Sequence, residues 1–424
     1  MSKKNFINRN VDGSLVIPAH ILNSTRLKNY NELMIIEEEG RMILVPSIHS
    51  LSRLYVEPTS TCNLNCVTCI RSSWHEESGF MDMSVFNALI EQVREFKTIE
   101  SVMFSGFGEP LSHPDILQMI KAFSNLGINT EVTTNGTLLD DNMIDGLFDA
   151  GLKDLWVSID SVTSNQFNEI REGGDFEQVY SNLKKFKLKN KKSKRKIILG
   201  IAFVATKDNV EEMSKLRGFA GSVWAERISV SNVIPYDREM EEKMLCKKKL
   251  FKPLAYREDQ EDRIGFKEIV IPEISLPKLD YTLATKEALF DIHSSMMKIK
   301  KLDEPFNENK DYCRFINKGN SFIRWDGMVT PCMGLIHSYK TYLNGNERTI
   351  KSYTLGSIAE KSLMSIWQSE EYRQFREDVM RFEFSPCVLC GGCQEGSSNE
   401  KDCLKNDFPA CGGCLWAQGV IQCP

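Results

Sequence analysis

Long apolar runs are absent from this 424-residue sequence. No stretch reaches the ~20 consecutive apolar residues that a membrane-spanning helix needs. The first ten residues, MSKKNFINRN, lack the apolar segment of a secretory signal peptide. An excess of basic charge is absent too, because the formal net charge is −5. These absences argue against membrane insertion and against general nucleic-acid binding, and we therefore expect a cytoplasmic protein.

Cysteine, by contrast, is unusually frequent. The sequence has 13 cysteines, and nine of them lie between Cys313 and Cys423. In a small secreted protein this density would indicate disulfides, whereas closely spaced cysteines in a cytoplasmic chain favour metal ligation. We therefore predict metal ligation.

The first close group of cysteines is STCNLNCVTCIR at residues 60–71. It spaces Cys62, Cys66 and Cys69 as C-x3-C-x2-C. Zinc sites and ordinary cubane clusters normally use four protein ligands. Either a fourth ligand lies elsewhere in the chain, or one coordination position stays open. An open position is what distinguishes a reactive metal centre from a structural one.

Strand and helix signals alternate six times between residues 54 and 234. Ser84 is the predicted N-cap of the first helix, Pro114 lies in the first turn of the second helix, and Gly127 ends it. Six βα steps predict a parallel sheet with functional residues at the carboxyl ends of its strands, and the three cysteines follow the first strand. The predicted strands are 54–60, 101–106, 128–136, 154–160, 197–206 and 227–236, and the predicted helices are 84–96, 114–127, 140–150, 163–190 and 209–219.

The regions outside this repeat differ in composition. Residues 11–47 carry short strand patterns at SLVIP, LMIIEE and RMILVP. They resemble the AbrB/SpoVT swapped-hairpin domain, which implies dimerisation and often DNA binding, but an acidic run at 37–39 favours docking or homodimerisation. The charged residues 237–311 are predicted to be a bridge with inserted helices. The loop-rich residues 312–424 need metal to stabilise them. The predicted domains are 1–50, 51–236, 237–311 and 312–424.

The CNLNCVTC segment resembles the signature of the radical S-adenosylmethionine (SAM) enzymes. The resemblance implies that Cys62, Cys66 and Cys69 hold a [4Fe–4S] cluster and that SAM chelates the fourth iron. One electron would then cleave SAM to a 5′-deoxyadenosyl radical. Such chemistry is carried by the cofactor, which the protein positions. Thr68 stands where this family usually has an aromatic residue, a departure that concerns the packing of the adenine and not the cluster.

Further landmarks of that family lie at the ends of the predicted strands. SGFGEP follows the second strand and resembles the glycine–glutamate motif whose backbone binds the SAM ammonium group, a close approach that glycine permits. TTNG ends the third strand and SID the fourth, where polar side chains could bond ribose hydroxyls or substrate. Taken singly, these segments are also typical of a turn or a helix cap. The predicted SAM-site residues are Gly106, Gly108, Glu109, Thr134, Asn135, Ser158 and Asp160.

The C-terminal cysteines form a second pattern. Cys313 and Cys332 bracket a glycine as C-x13-G-x4-C, which resembles the SPASM extension of radical SAM enzymes and implies two auxiliary [4Fe–4S] clusters. Zinc ribbons are the alternative. Cys313 and Cys332 are expected to share a cluster, but the later spacing departs from the SPASM pattern and leaves the other assignments open. Cys246 is a predicted bystander. The predicted ligands are Cys313, Cys332, Cys387, Cys390, Cys393, Cys403, Cys411, Cys414 and Cys423.

Two clusters with four ligands each leave one of these nine cysteines over. Either one cysteine is spare, or one iron faces the substrate. The predicted fold is thus α/β: a partial (β/α)6 TIM-like radical SAM barrel with a small N-terminal AbrB-like β segment and a cysteine-rich C-terminal SPASM-type iron–sulfur domain.

Whole phrases of the sequence are similar to the radical SAM/SPASM maturases associated with tungsten-containing aldehyde ferredoxin oxidoreductases. These phrases are RLYVEPTSTCNLNCVTCIR, SNEKDC and CGGCLWAQGVIQCP. The similarity implies maturation of a tungstopterin aldehyde oxidoreductase or its cofactor. The radical would abstract hydrogen from a peptide, a protein or a cofactor precursor, with ferredoxin or flavodoxin as electron donor and a peptide or oxidoreductase as substrate. The alternatives are a SPASM peptide maturase that forms a thioether, crosslink or epimer, and an iron–sulfur redox-sensing regulator.

The lysine-rich stretch 184–196 is either a docking site for an acidic electron carrier or a solvated helix end. The catalytic acid, base or hydrogen donor is not identified by the sequence.

Overall fold

The computed structural model describes residues 10–12, 14–38, 41–74, 76–246, 272–295, 297–299, 313–343, 345–385, 387 and 394–423. The predicted ligands Cys390 and Cys393 lie outside these residues. In the part of the chain that is described, none of the helices combines the length and the apolar character needed to cross a membrane.

The N-terminal segment contains a short helix and a hairpin. Helix α1 (Ala19–Asn23) is followed by a 3-10 turn and by the antiparallel strands β1 (Leu33–Glu38) and β2 (Arg41–Pro46). The hairpin confirms the strands predicted at LMIIEE and RMILVP. At SLVIP the structure shows only a single bridge residue, Leu15, in place of the predicted strand, and the following residues lead into α1, whose N-cap is Pro18. Proline lacks the N–H that strand pairing needs but suits the start of a helix.

The centre of the fold is an 11-stranded sheet in which six parallel strands are neighbours in chain order. This arrangement confirms the predicted βα repeat. Each of the six strands ends earlier than predicted, because the chain turns there into the loops that carry the polar site residues. The six strands are β3 (Arg53–Val56), β4 (Ser101–Phe104), β5 (Asn129–Thr134), β6 (Asp154–Ser158), β7 (Ile198–Ala205) and β8 (Arg227–Asn232).

The helices between these strands pack on the sheet through buried apolar faces. Phe123, for example, meets Phe86 and Phe104 in edge-to-face contacts with ring centroids 5.8 Å apart. The predicted helix 163–190 is in fact two helices, which are separated at Gly173 and Gly174. The helices are α2 (Met83–Val93), α3 (Ile116–Asn125), α4 (Asp141–Ala150), α5 (Ser164–Ile170), α6 (Phe176–Lys192) and α7 (Leu216–Val223).

Two helix ends differ from the prediction. The N-cap of α2 is Asp82 and not Ser84, because the carboxylate of Asp82 accepts the Ser84 amide at 2.7 Å. Pro114 lies just outside α3, whose N-cap is Asp115. Gly127 follows the end of α3 with φ +77°, the left-handed conformation that favours glycine. The predicted helix 209–219 begins as a 3-10 segment at Val210–Lys215 before α7.

The sheet continues on both sides of the six strands. After α8 (Arg238–Lys243), the predicted bridge supplies β9 (Glu273–Ser275), α9 (Leu283–Ser294) and β10 (Lys298–Ile299), and both strands extend the sheet in parallel beyond β8. On the other side, β11 pairs in parallel with β3. The C-terminal elements are α10 (Arg314–Asn317), β11 (Asn320–Ile323), β12 (Met328–Thr330), β13 (Tyr339–Leu343), β14 (Asn346–Ile350), β15 (Gly356–Ser357), α11 (Leu363–Trp367) and α12 (Glu370–Arg381).

Candidate active site

The cysteine loop follows β3 and packs tightly against the loop after β4. A Cβ atom on Gly108 would lie 2.1 Å from the carbonyl oxygen of Thr59 and 2.7 Å from that of Thr61. The amide of Glu109 donates to the Thr61 carbonyl at 2.8 Å. Only glycine allows this approach. The predicted glycine motif and the triple-cysteine segment therefore meet through their backbones.

Glu109 joins the ends of β4 and β5. Its carboxylate accepts the hydroxyl of Thr134 at 2.6 Å, the amide of Asn135 at 2.7 Å and the amide of Leu111 at 3.0 Å. Burial raises the pKa of Glu109, although these hydrogen bonds favour its charged form. Three of the predicted site residues thus form one hydrogen-bonded unit.

Asn135 extends this unit to the cysteine loop. Its side-chain amide nitrogen donates to the side-chain oxygen Oδ1 of Asn63 at 2.9 Å and lies 3.9 Å from the sulfur of Cys62. Its own oxygen accepts both the amide and the hydroxyl of Thr137, at 2.9 and 2.7 Å. The loops after β3, β4 and β5 are therefore held in one fixed arrangement.

Asp160 forms a buried ion pair with Arg171, a residue that the sequence patterns did not indicate. Its carboxylate lies 2.9 Å from the guanidinium of Arg171 and accepts the amide of Val204 at 2.9 Å. Asp160 does not cap the next helix, because the N-cap of α5 is Thr163. Ser158, the last residue of β6, is half-buried.

Arg171 lies beside the cysteine loop. The amides of Asn65 and Val67 donate to the carbonyls of Glu172 and Ile170, on either side of Arg171, at 2.9 Å each. Burial raises the pKa of the Cys66 thiol to about 11, and the positive charge of Arg171 counteracts that rise.

The three thiols of the cysteine loop are a donor set that fits an iron–sulfur cluster. No three His, Cys, Asp or Glu side chains in the described part of the chain are arranged to hold one metal ion. In an iron–sulfur cluster each thiolate binds a different iron atom, so the thiolates need not converge on one point. The amide of Leu64 donates to the sulfur of Cys62 at 3.4 Å, the kind of hydrogen bond that tunes cluster thiolates. Burial also raises the pKa of Cys69, so the buried thiols need cationic iron to be stable as thiolates.

A second group of cysteines lines an apolar pocket in the C-terminal region. Burial raises the pKa of all four thiols, that of Cys313 to about 12. Four cysteines in an apolar pocket match the ligand set of a cubane cluster, and two of them, Cys313 and Cys332, are buried while the other two are half-buried. The structure thereby brings Cys313 and Cys332 together with two cysteines from the end of the chain. The four residues are Cys313, Cys332, Cys411 and Cys414.

The other described cysteines lie elsewhere. Cys423, whose pKa burial raises to about 11, donates to the sulfur of Met333 at 3.4 Å. Cys403 is exposed, with its sulfur 2.9 Å from the hydroxyl of Ser385, and Cys387 is half-buried. Cys246 follows the helix α8 segment, and burial raises its pKa to about 11.

Sequence reasoning missed three buried ionisable residues near the site, Glu57, Arg171 and His337. Glu57 offered one signal, a carboxylate at the end of an otherwise apolar strand pattern, in LYVEPTS. Arg171 and His337 offered none, because each reaches the site through a long-range contact and belongs to no local pattern.

Comparisons with known proteins agree with this site. The model of the radical SAM superfamily matches residues 56–218, and that of the SPASM iron–sulfur cluster-binding domain matches residues 313–394. The tungsten-containing aldehyde ferredoxin oxidoreductase cofactor-modifying protein of Pyrococcus furiosus is 29% identical over 380 residues, which are 88% of this chain and 96% of that protein. The AdoMet-dependent heme synthase of Methanosarcina barkeri is 24% identical over 80% of this chain and 89% of its own length.

Solved structures show the same fold. Streptococcus suis SuiB bound to its precursor peptide SuiA has a TM-score of 0.53 and 18% identity, covering 81% of this chain and 70% of SuiB. The structure of anSMEcpe with bound AdoMet has a TM-score of 0.52 and 17% identity, covering 87% of this chain and 95% of that one. The predicted fold class is confirmed. The family implies a [4Fe–4S] cluster with SAM, and auxiliary iron–sulfur clusters in the SPASM domain. This chain belongs to the radical SAM superfamily as an enzyme with a SPASM domain.

Proposed function

We propose that this enzyme is a maturase of a tungsten-containing aldehyde oxidoreductase, acting on its cofactor precursor or on its polypeptide. The observation that carries the proposal is the similarity to the Pyrococcus furiosus cofactor-modifying protein, which spans 88% of this chain and 96% of that protein. A likeness of this extent includes the C-terminal cysteine region as well as the barrel. The fold alone would not point to a substrate, because one fold hosts many reactions.

The cysteine loop would hold the SAM-binding cluster through Cys62, Cys66 and Cys69. Bound there, the cluster and SAM would supply the radical that abstracts hydrogen from the substrate. The protein's part is to hold the loops rigid: Gly108 docks on the cysteine loop, and Glu109 and Asn135 tie the neighbouring loops to it. Such rigidity keeps reacting groups in the geometry that the reaction needs.

The C-terminal cavity would hold one auxiliary cluster through Cys313, Cys332, Cys411 and Cys414. Four thiolate ligands leave no iron open to substrate, which favours electron transfer over substrate binding. The cavity also includes Ile234, which follows β8 at the carboxyl edge of the sheet, so this cluster would lie near the mouth of the barrel. Cys411 and Cys414 lie beyond the residues that the SPASM model matches.

Turnover with candidate substrates tests the function. The anaerobically reconstituted protein is reduced with dithionite, and formation of 5′-deoxyadenosine from SAM is measured with and without apo-aldehyde oxidoreductase plus tungstopterin. We expect product formation that the oxidoreductase or its cofactor stimulates, together with a SAM-dependent mass change in one of them. Stimulation only by a ribosomal precursor peptide would support the peptide-maturase alternative instead. An intact cluster without any 5′-deoxyadenosine would refute both.

Two partner predictions belong to this proposal. A ferredoxin or flavodoxin would donate the electron, and the basic stretch 184–196 is its candidate docking site. That stretch is partly neutralised, because Lys185 and Lys189 pair with Asp141 at 3.1 and 3.0 Å. A homodimer would form through the N-terminal hairpin, on which Ile35 and Met42 are exposed.

A further inference from the structure

A histidine from the C-terminal region lies between two carboxylates near the cysteine loop. The Nε2 atom of His337 is 3.0 Å from Glu57 Oε2, and its Nδ1 atom is 2.7 Å from Glu76 Oε2. The side chain of His337 is 1% exposed and that of Glu57 is 0% exposed. Burial by itself lowers the pKa of His337, but its bonds to the two carboxylates raise it above the ordinary value. Each ring nitrogen faces a carboxylate oxygen, so the protonated imidazole donates one hydrogen bond to each carboxylate.

Glu57 connects this histidine to the glycine loop. It directly follows β3, and its carboxylate accepts the backbone amide of Phe107 at 3.4 Å. Gly106 has φ +151°, and a Cβ atom there would lie 2.7 Å from Glu57 Cγ. The Glu57 carboxylate thus contacts the backbone of Gly106 and Phe107 in the first half of SGFGEP, while Glu109 holds the second half of that motif.

Glu76 connects the histidine to the C-terminal region. Glu76 Oε1 accepts the backbone amide of Ser338 at 2.6 Å. Glu76 Oε2, the oxygen that faces His337, lies 3.8 Å from the guanidinium of Arg324. The ring of Trp74 closes the site, with its centroid 4.2 Å from that of His337. His337 also comes five residues after Cys332, which lines the auxiliary-cluster cavity. The three side chains are therefore a direct link between that region and the glycine loop.

We propose that His337, held between Glu57 and Glu76, is a positioning residue for SAM. Through Glu57 it fixes the backbone of Gly106 and Phe107 in the conformation that receives the SAM ammonium group. This inference rests on the proposed role of the glycine loop. Because the histidine acts on a binding loop and does not touch the reacting atoms, its loss weakens SAM binding more than it slows SAM cleavage.

Calorimetric titration of SAM into the reconstituted protein tests the proposal, with steady-state formation of 5′-deoxyadenosine as a second measurement. For His337→Gln and Glu57→Gln we expect Kd and KM for SAM to rise about tenfold, with kcat changed less than about threefold. Both variants remove the charge and keep a polar side chain of similar length. Iron content and thermal midpoint show whether each variant is folded and loaded. Unchanged Kd and KM in loaded variants would overturn the proposal.

A matched control and a milder variant complete the experiment. His49→Gln alters a histidine that also faces a carboxylate, Glu377 at 3.7 Å, but lies before β3 at the opposite end of the sheet. It should leave the Kd for SAM within about twofold.

If His337→Gln loses iron, the Glu76→Gln variant tests the proposal in its place, because the Glu76 side chain is 26% exposed and easier to replace. It should weaken SAM binding about threefold, and no change would refute the proposal. If the wild type binds no SAM, the proposed function itself fails.

Discussion

Arg171 and Asp160 form a buried ion pair at 2.9 Å directly beside the cysteine loop, with exposures of 8% and 1%. The backbone on both sides of Arg171 bonds to that loop. The pair therefore supports the site without needing to touch the substrate, and its energetics can be measured.

Replacing Arg171 with Gln should lower the free energy of unfolding by about 3–5 kcal/mol, because it leaves the Asp160 carboxylate buried and unpaired. The double variant Arg171→Gln/Asp160→Asn should recover part of that loss, since no uncompensated charge remains. Anaerobic denaturant unfolding of the wild type, both single variants and the double variant measures the coupling. Purely additive effects would contradict an energetically coupled pair.

Gly108→Ala should disrupt the contact between the glycine loop and the cysteine loop. The new methyl group would lie 2.1 Å from the Thr59 carbonyl oxygen, so the backbone must move. We expect a destabilisation of about 1–3 kcal/mol and a loss of SAM cleavage of at least about tenfold.

Gly221→Ala is the matched control for that substitution. Gly221 lies within α7, and a Cβ atom there meets nothing within 4 Å. This variant should be more stable by about 0.5–1 kcal/mol with unchanged activity. Equal behaviour of the two alanine variants in thermal unfolding and turnover would show that the loop contact does not matter.

Alanine at any one of Cys313, Cys332, Cys411 and Cys414 should remove the same cluster. Each variant should lose about four iron atoms per chain, because a cubane cluster with a missing ligand is no longer held securely. Iron analysis and Mössbauer spectroscopy make the comparison. Cys246→Ala should keep the full iron content, since Cys246 does not line the cavity formed by the described residues. Different iron losses among the four variants would contradict the proposal that these four cysteines bind the same cluster.

The contacts of His337 with Glu57 and Glu76 should make the stability of the protein depend on pH in one direction. The pKa of His337 is raised above its ordinary value of 6.5 in the folded protein. Its contribution is therefore fully present below about pH 6.5 and is lost as the pH rises through the raised value. Thermal midpoints of the wild type and His337→Gln should differ more at pH 6 than at pH 9. Glu57, Glu76 and Arg324 are the charged groups around it, and a pH-independent difference would contradict a charged histidine.

Glu76 adds the opposite dependence at low pH. Burial would raise its pKa, but the hydrogen bonds from His337 and Ser338 lower it to about 2. Its stabilisation is present above the ordinary value of 4.5 and is lost as the pH falls toward 2. Glu76→Gln should therefore reduce the acid-induced loss of stability between pH 4.5 and pH 3. Identical acid unfolding of wild type and variant would refute this assignment.

Local patterns in the sequence were sufficient for the repeat and for the position of the site. Apolar strand cores and helix faces depend on period and burial, so the six strands could be found without tertiary information. The helix ends were less predictable. Ser84 and Asp82 are both good caps, and only the three-dimensional course of the chain selects Asp82. The small strands β9 and β10 escaped prediction because each has too few residues to show a period.

By itself, the sequence determined the triple-cysteine loop, the βα repeat and the glycine–glutamate motif, because each is a short pattern imposed by local chemistry. Tertiary structure alone decided which distant side chains meet. It placed Arg171 against Asp160 and His337 between Glu57 and Glu76. It also placed Cys313 and Cys332 in one pocket with Cys411 and Cys414. The physical reason is that buried charges and thiols need partners, and the partners available depend on how the whole chain packs.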